Sequence, residues 1–289
     1  MTISSLLNNS IPRWKTLPKT SATPRRAIHL DDWQADWNAN IALITRYCRA
    51  EHDDSSVLQG HAALEYVWQW KTAAEAGSNL LLKGIDRGFD GQVLRQLYVE
   101  VVELWLHQAQ LLNHAHNSLR QQNIELTTGA LLTPRTREEY PFALQLLAMG
   151  VLLNEQEQLP ALVEHVLHFD TDRLLDYLTA PALGLTEAAD AIFHPRPFSS
   201  LFAALNDNPV FNPADLSGYL QTQYREFFQM SPKAAKKTKR LIGPDCWGYW
   251  AVEVSALTVL YGGDDTELRS NPHYLADLVD FARKEGNDS

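Results

Sequence analysis

Glu103 and His107 stand one helical turn apart, and His114 lies two turns farther along the same face of one long, apolar-periodic segment. Such a row could present a carboxylate and two imidazoles to a metal ion inside a helical bundle. The Glu-x-x-His spacing of di-iron bundles is not formed by Glu100, Glu103 or any other glutamate of the segment, so the row reads as a polar helix face. Glu164, His165 and His168 make a comparable cluster and receive the same reading. Cys48 and Cys246 are about two hundred residues apart, neither with a second cysteine at a ligand spacing, and both read as small buried hydrophobes. The chain carries no G-x-S-x-G elbow, no phosphate-binding P-loop, no dinucleotide fingerprint and no H-E-x-x-H pair. No catalytic residue, metal or cofactor is expected.

Carboxylates in turns are the second class of candidates. Asp86 and Asp90 lie in Gly84-Ile-Asp-Arg-Gly-Phe-Asp-Gly91, and Asp264, Asp265 and Glu267 follow Gly262–Gly263. Turns are where rigid scaffolds place contacts, and these five acidic groups could meet a cationic partner. Helix capping is the competing reading for each aspartate. Glu253 falls among apolar residues of a helix, where a structural hydrogen bond or ion pair is the simpler role.

Charge narrows the partners. The 289 residues hold 35 acidic and 25 basic side chains, a net charge of −10 with a pI near 5.4, so nucleic acid and anionic membranes are repelled on average. Residues 1–30 are the exception, with five basic and no acidic side chains, and read as a flexible basic segment. Ser231-Pro-Lys-Ala-Ala-Lys-Lys-Thr-Lys-Arg240 reads as a solvated connector, because no aromatic or Gly-rich element is interleaved with its charges. No apolar run approaches the length of a bilayer span, and Leu6–Leu7 is too short for a secretory signal, so a cytosolic location is expected.

The elements that must position these residues are helices. Trp33, Trp37, Ile41, Ile44 and Tyr47–Cys48 make one stripe. A second helix is predicted from Ser56 to about Lys83, carrying Leu64, Val67, Trp68 and Leu80–Leu82, and a third from Gln92 to Leu119, burying Leu94, Leu97, Tyr98, Val101, Val102, Trp105, Leu106 and Leu112. Shorter helices follow near 137–153, 158–168, 171–179 (with Asp170 as its N-cap), 196–205 and 212–229. Trp250, Val254, Leu257 and Tyr261 form a further stripe, opened by Gly248 and closed by Gly262–Gly263. Asn271-Pro272 is predicted to start a last helix burying Leu275, Leu278, Val279 and Ala282. No hairpin signal requires a sheet. The expectation is an all-α, bundle-like array of roughly ten helices, with an N-terminal helical region over 31–130 and a C-terminal one over 131–289.

The run Trp247-Gly-Tyr-Trp-Ala-Val-Glu253, then Asp264-Asp265 and Asn271-Pro-His-Tyr-Leu-Ala-Asp277-Leu278, resembles the C-terminal signature of PoNi-type bacterial immunity proteins. Leu174-Leu175-Asp176-Tyr177-Leu178 resembles the family's middle helix, and 31–150 is similar in helix pattern to its N-terminal domain. His273 and Leu275 depart from the pattern, which usually has an aromatic and a proline there. The resemblance implies a non-enzymatic protein that binds and neutralises a cognate toxin encoded next door, best known from PoNe-type DNases delivered by type VI and related secretion systems. It also implies that Gly248, Tyr249, Trp250, Glu253, Asn271, Pro272, Tyr274, Asp277 and Leu278 serve mainly packing. A helical adaptor holding a partner peptide or helix, and less strongly a metal-dependent bundle enzyme, are the alternative readings.

Overall fold

The computed structural model describes residues 3–19, 22–53, 60–121, 132–167, 172–206, 212–227 and 249–287. Helices dominate: α1 (Leu30–Asp53), α2 (Gly60–Arg87), α3 (Gly91–Arg120), α4 (Tyr140–Leu152), α5 (Arg173–Leu183), α6 (Pro195–Asn206), α7 (Ser217–Phe227), α8 (Val252–Tyr261) and α9 (Ala276–Asn287). The chain is all-α, as its apolar periods require; among the described residues, extended pairing is confined to the isolated bridge between Leu132 and Leu167. Two compact units divide it. One comprises Met1–Phe89, Gln96–Leu132 and Ala161–His168; the other comprises Asp90–Arg95, Thr133–Pro160 and Phe169–Ser289.

In the first unit, residues 3–19 are helical turns rather than a free basic tail. Leu6, Ile11, Trp14 and Leu17 are buried, which offsets the cost of ordering the segment. Trp14 Nε1–H donates to Glu100, which also pairs with Arg13, and Trp37 Nε1–H donates to the Trp14 carbonyl at 3.0 Å. Trp33 stacks on Trp37 at 5.2 Å between centroids, and Phe89 meets both rings edge-on.

The α2 face differs from expectation. Trp68 is 56% exposed and the buried tryptophan is Trp70, because Ala63, Tyr66, Val67, Trp70, Ala73 and Ala74 mark the inward stripe and residue 68 lies off it. On α3, Leu104 and Leu111 are buried where Leu106 and Leu112 were expected, and the latter two are only half-buried. Trp105 is fully buried and donates to Ser78 Oγ at 3.0 Å.

In the second unit, α4 and α8 are buried on nearly every side and pack on each other, with α5 and α9 around them. Where a helix was expected near 158–168, the described residues Gln156–Val166 form short helical turns, with a π-type turn over Leu162–Val166. The N-cap of α5 is Asp172: its Oδ1 accepts from the N–H groups of Leu174 and Leu175, whereas Asp170 lies outside the described residues. The last helix begins at Ala276, because Asn271 Oδ1 accepts from the His273 N–H and closes a local turn instead of capping a helix.

Candidate functional site

The sequence candidates fall into three groups. Gly248 lies outside the described residues, as do Cys246, His168 and the basic connector 231–240. His107 Nε2 lies 2.9 Å from Glu51 Oε2 and the ring sits edge-on to Trp70, and among the described residues no three His, Cys, Asp or Glu side chains gather as a metal site. Burial, aided by the nearby Glu51 charge, pushes the Cys48 thiol up to about 12, which leaves it an inert core residue.

The signature residues form a clasp. The Ala251 N–H donates to the His273 carbonyl at 2.9 Å, and His273 Nδ1 lies 2.6 Å from the Tyr249 carbonyl. Burial pushes His273 below its ordinary range, against that hydrogen bond, so the neutral ring carries its proton on Nδ1 and donates. The same imidazole packs edge-on against Tyr249 at 4.7 Å, which explains how histidine fills a position where an aromatic is usual. Leu275 N–H donates to Ser255 Oγ, while Trp250 and Leu278 are buried. Pro272 and Asp277 are exposed.

Glu253 is 1% exposed and accepts from Tyr219 Oη–H at 2.5 Å. Burial raises its carboxyl from 4.5 to about 7, and the hydrogen bond from Tyr219 only partly opposes that rise. Tyr140 donates to Asp172 Oδ1, whose other oxygen accepts from the Phe193 N–H. Sequence reasoning missed Tyr219, Tyr140 and Asp172 as members of this buried polar set, since partners 34 and 32 residues apart leave no local pattern.

The acidic turns divide into committed and exposed groups. Asp86 lies in the last turn of α2, 3% exposed, and holds the Arg26 guanidinium through both oxygens at 2.6 and 2.5 Å. Asp265 is 4% exposed and accepts from Tyr274 at 2.8 Å, Arg269 at 3.1 Å and Arg283 at 3.2 Å. Burial works against its ionisation, but the bonds from Tyr274 and Arg269 and the charge of Arg283 prevail, holding it below the usual carboxylate range. Arg269 also grips Asp280 through two nitrogens at 3.0 and 2.6 Å. Its i, i+4 spacing to Asp265 is the one local trace of this cluster in the sequence.

Asp90, Asp264 and Glu267 are exposed. Asp90 Oδ1 accepts from the Val93 N–H at the start of α3, and Asp264 Oδ1 accepts from the N–H and hydroxyl of Thr266. Both turns abut α9. Phe281 packs so closely on Gly91 that a Cβ there would fall 2.3 Å from the ring, and Arg283 donates to the Gly263 carbonyl at 2.9 Å. Gly262 and Gly263 have φ of 78° and 100°, a left-handed backbone open to glycine that aims the carboxylate-bearing turn outward. Residues two apart project about 200° apart around a helix, so the turns flank α9 from opposite sides.

Comparisons with known proteins bear on this arrangement. Residues 170–278, which contain Asp172, Glu253, the clasp and the 262–267 turn, match the family described as PoNe immunity proteins (PoNi), C-terminal. The C-terminal region of the chain belongs to this family. Residues 1–123 match the PA2201 N-terminal domain-like family. The crystal structure of protein PA2201 from Pseudomonas aeruginosa is 55% identical, covers 99% of this chain and 100% of its own, and superposes with a TM-score of 0.88. No curated protein matches. Within the matched stretch, Tyr249, Ala251, His273 and Leu275 make the clasp bonds that join the segments leading into α8 and α9.

Proposed function

We propose that this PoNi-family protein neutralises a cognate nucleic-acid-cleaving toxin by stoichiometric binding, without catalysis, in the cytoplasm of the cell that makes it. The observation that carries the reading is the PoNi match over 170–278. A nuclease needs a cationic cleft for its substrate, and a partner with net charge −10 is steered toward such a cleft. Asp90, Asp264 and Glu267 are the carboxylates we assign to the contact, with Asp86 and Asp265 shaping the turns from within. The toxin is encoded beside this protein and delivered by a type VI or related secretion system, and the immunity protein itself touches neither nucleic acid nor membrane.

The test is co-expression with the neighbouring toxin domain, followed by purification of the complex. Growth rescue that requires about equal amounts of the two proteins, with an equimolar complex on a sizing column, is the expected result. Rescue at a small fraction of the toxin level would replace this reading with a catalytic one.

A further inference from the structure

Two cavities of about 630 and 520 Å³ lie between the N-terminal helical turns and α1, inside the first unit. They share Lys15, Thr45 and Arg49 and so form one continuous groove. Arg46 and Asn38 complete one end, while Ser4 and Asn8 complete the other. Among the described residues no carboxylate lines it. Elsewhere, Arg13, Arg26, Lys83, Arg95, Arg269 and Arg283 are paired with carboxylates of the chain.

Three cations converging on a concave surface of an acidic protein create a local positive potential against a repulsive background. Arg46 and Arg49 are one turn apart on α1 and reach the groove from one wall, and Lys15 reaches it from the other. Guanidinium forks suit tetrahedral oxyanions, and the Ser4 hydroxyl and the amides of Asn8 and Asn38 add donor groups to the lining, whereas the Thr45 hydroxyl already donates to the Ile41 carbonyl at 2.7 Å. Ile11, Ile41 and Ala42 give the groove an apolar floor. Each cavity has a volume in the range of small-molecule sites, and no aromatic side chain lines either to stack a base.

We propose that this groove binds a small phosphate-bearing anion. The acidic turns, which would repel such a ligand, belong to a different surface function, so this site stands independently of the toxin contact.

The test is calorimetric titration of the full chain with tripolyphosphate, with fructose 1,6-bisphosphate and with a poly-glutamate peptide. The comparison is between wild type, K15Q/R46Q/R49Q, and a charge-matched control, K19Q/R120Q/K284Q, altered at other exposed positions. Saturable binding of one of the phosphates, weakened at least tenfold in the groove variant and less than twofold in the control, is expected. Tighter binding of tripolyphosphate identifies the phosphate chain itself as the ligand, whereas tighter binding of the sugar bisphosphate identifies an organic phosphate using the apolar floor. No saturable phosphate binding, equal weakening in both variants, or tighter binding of poly-glutamate than of either phosphate would overturn the proposal.

Discussion

Replacing Glu253 with glutamine should stabilise the protein at neutral and alkaline pH, because the native carboxyl is held where its charge is unwelcome. The side chain is 1% exposed and accepts from the Tyr219 hydroxyl, so ionisation would bury a carboxylate that the surroundings compensate only in part. Its carboxyl sits at about 7 in the fold against an ordinary 4.5. The folded state therefore binds more protons than the unfolded state between those values. A raised acid contributes stability that is fully present below about pH 4.5 and is lost as pH rises through about 7, to a total of about 3 kcal/mol. Glutamine keeps the shape and an oxygen for Tyr219 but has no charge to bury. Urea titrations of wild type and E253Q at pH 5 and pH 8 isolate this group, since His273 and the lowered aspartates are common to both proteins. A gain of about 1 kcal/mol for E253Q at pH 5, rising to about 3 kcal/mol at pH 8, is expected. A variant no more stable than wild type at pH 8, or one whose advantage shrinks with rising pH, would refute the account of Glu253 as a desolvated acid.

Trp105→Ala should cost about 3–5 kcal/mol in the same assay, since the ring is wholly buried and its hydrogen bond to Ser78 goes with it; a loss below about 1 kcal/mol would mean that α3 is turned differently. Asp265→Ala should cost about 2–3 kcal/mol, somewhat less than a fully buried pair because Arg269 and Arg283 are 36% and 33% exposed, whereas Asp264→Asn, which keeps the oxygen that Thr266 uses, should be nearly neutral in denaturant titration. The triple neutralisation D90N/D264N/E267Q retains the capping oxygens, so it should leave the thermal midpoint within about 2 °C while lowering the association rate with the toxin severalfold and flattening its salt dependence in stopped-flow mixing. Gly91→Val should destabilise the chain in thermal melts by driving a side chain into Phe281; an unchanged midpoint would show that the α3 start and α9 are not in close contact.

Helices with long, regular apolar stripes were legible from residue order alone: α1, α2 and α3 fall within a few residues of expectation, because burial of a face imposes a period that composition reveals. What failed was whatever depends on partners distant in sequence. Trp68 and Trp70 are both compatible with helical spacing, and only the packed neighbours decide which is inward. Residues 3–19 looked like a tail because their charges are basic, yet Leu6, Ile11 and Trp14 were already spaced for one buried face. Asp86 and Asp265 share the composition of surface turns with Asp90 and Asp264, and their commitment to Arg26 and to Arg269 and Arg283 is set by chain crossings that no local window contains. The PoNi signature was readable because its clasp depends on contiguous residues at 249–253 and 271–278.

The alternation of the chain between its two units bears on how members of this family can exchange parts. Residues 161–168 return to the first unit after 133–160 have contributed to the second, and there the Leu132 N–H donates to the Val166 carbonyl while Leu162, Val166 and Leu167 are buried. A chimera joined near residue 123, where the N-terminal family match stops, would graft onto one parent's first unit a closing segment inherited from the other. Recombination at a single junction therefore mixes core as well as surface.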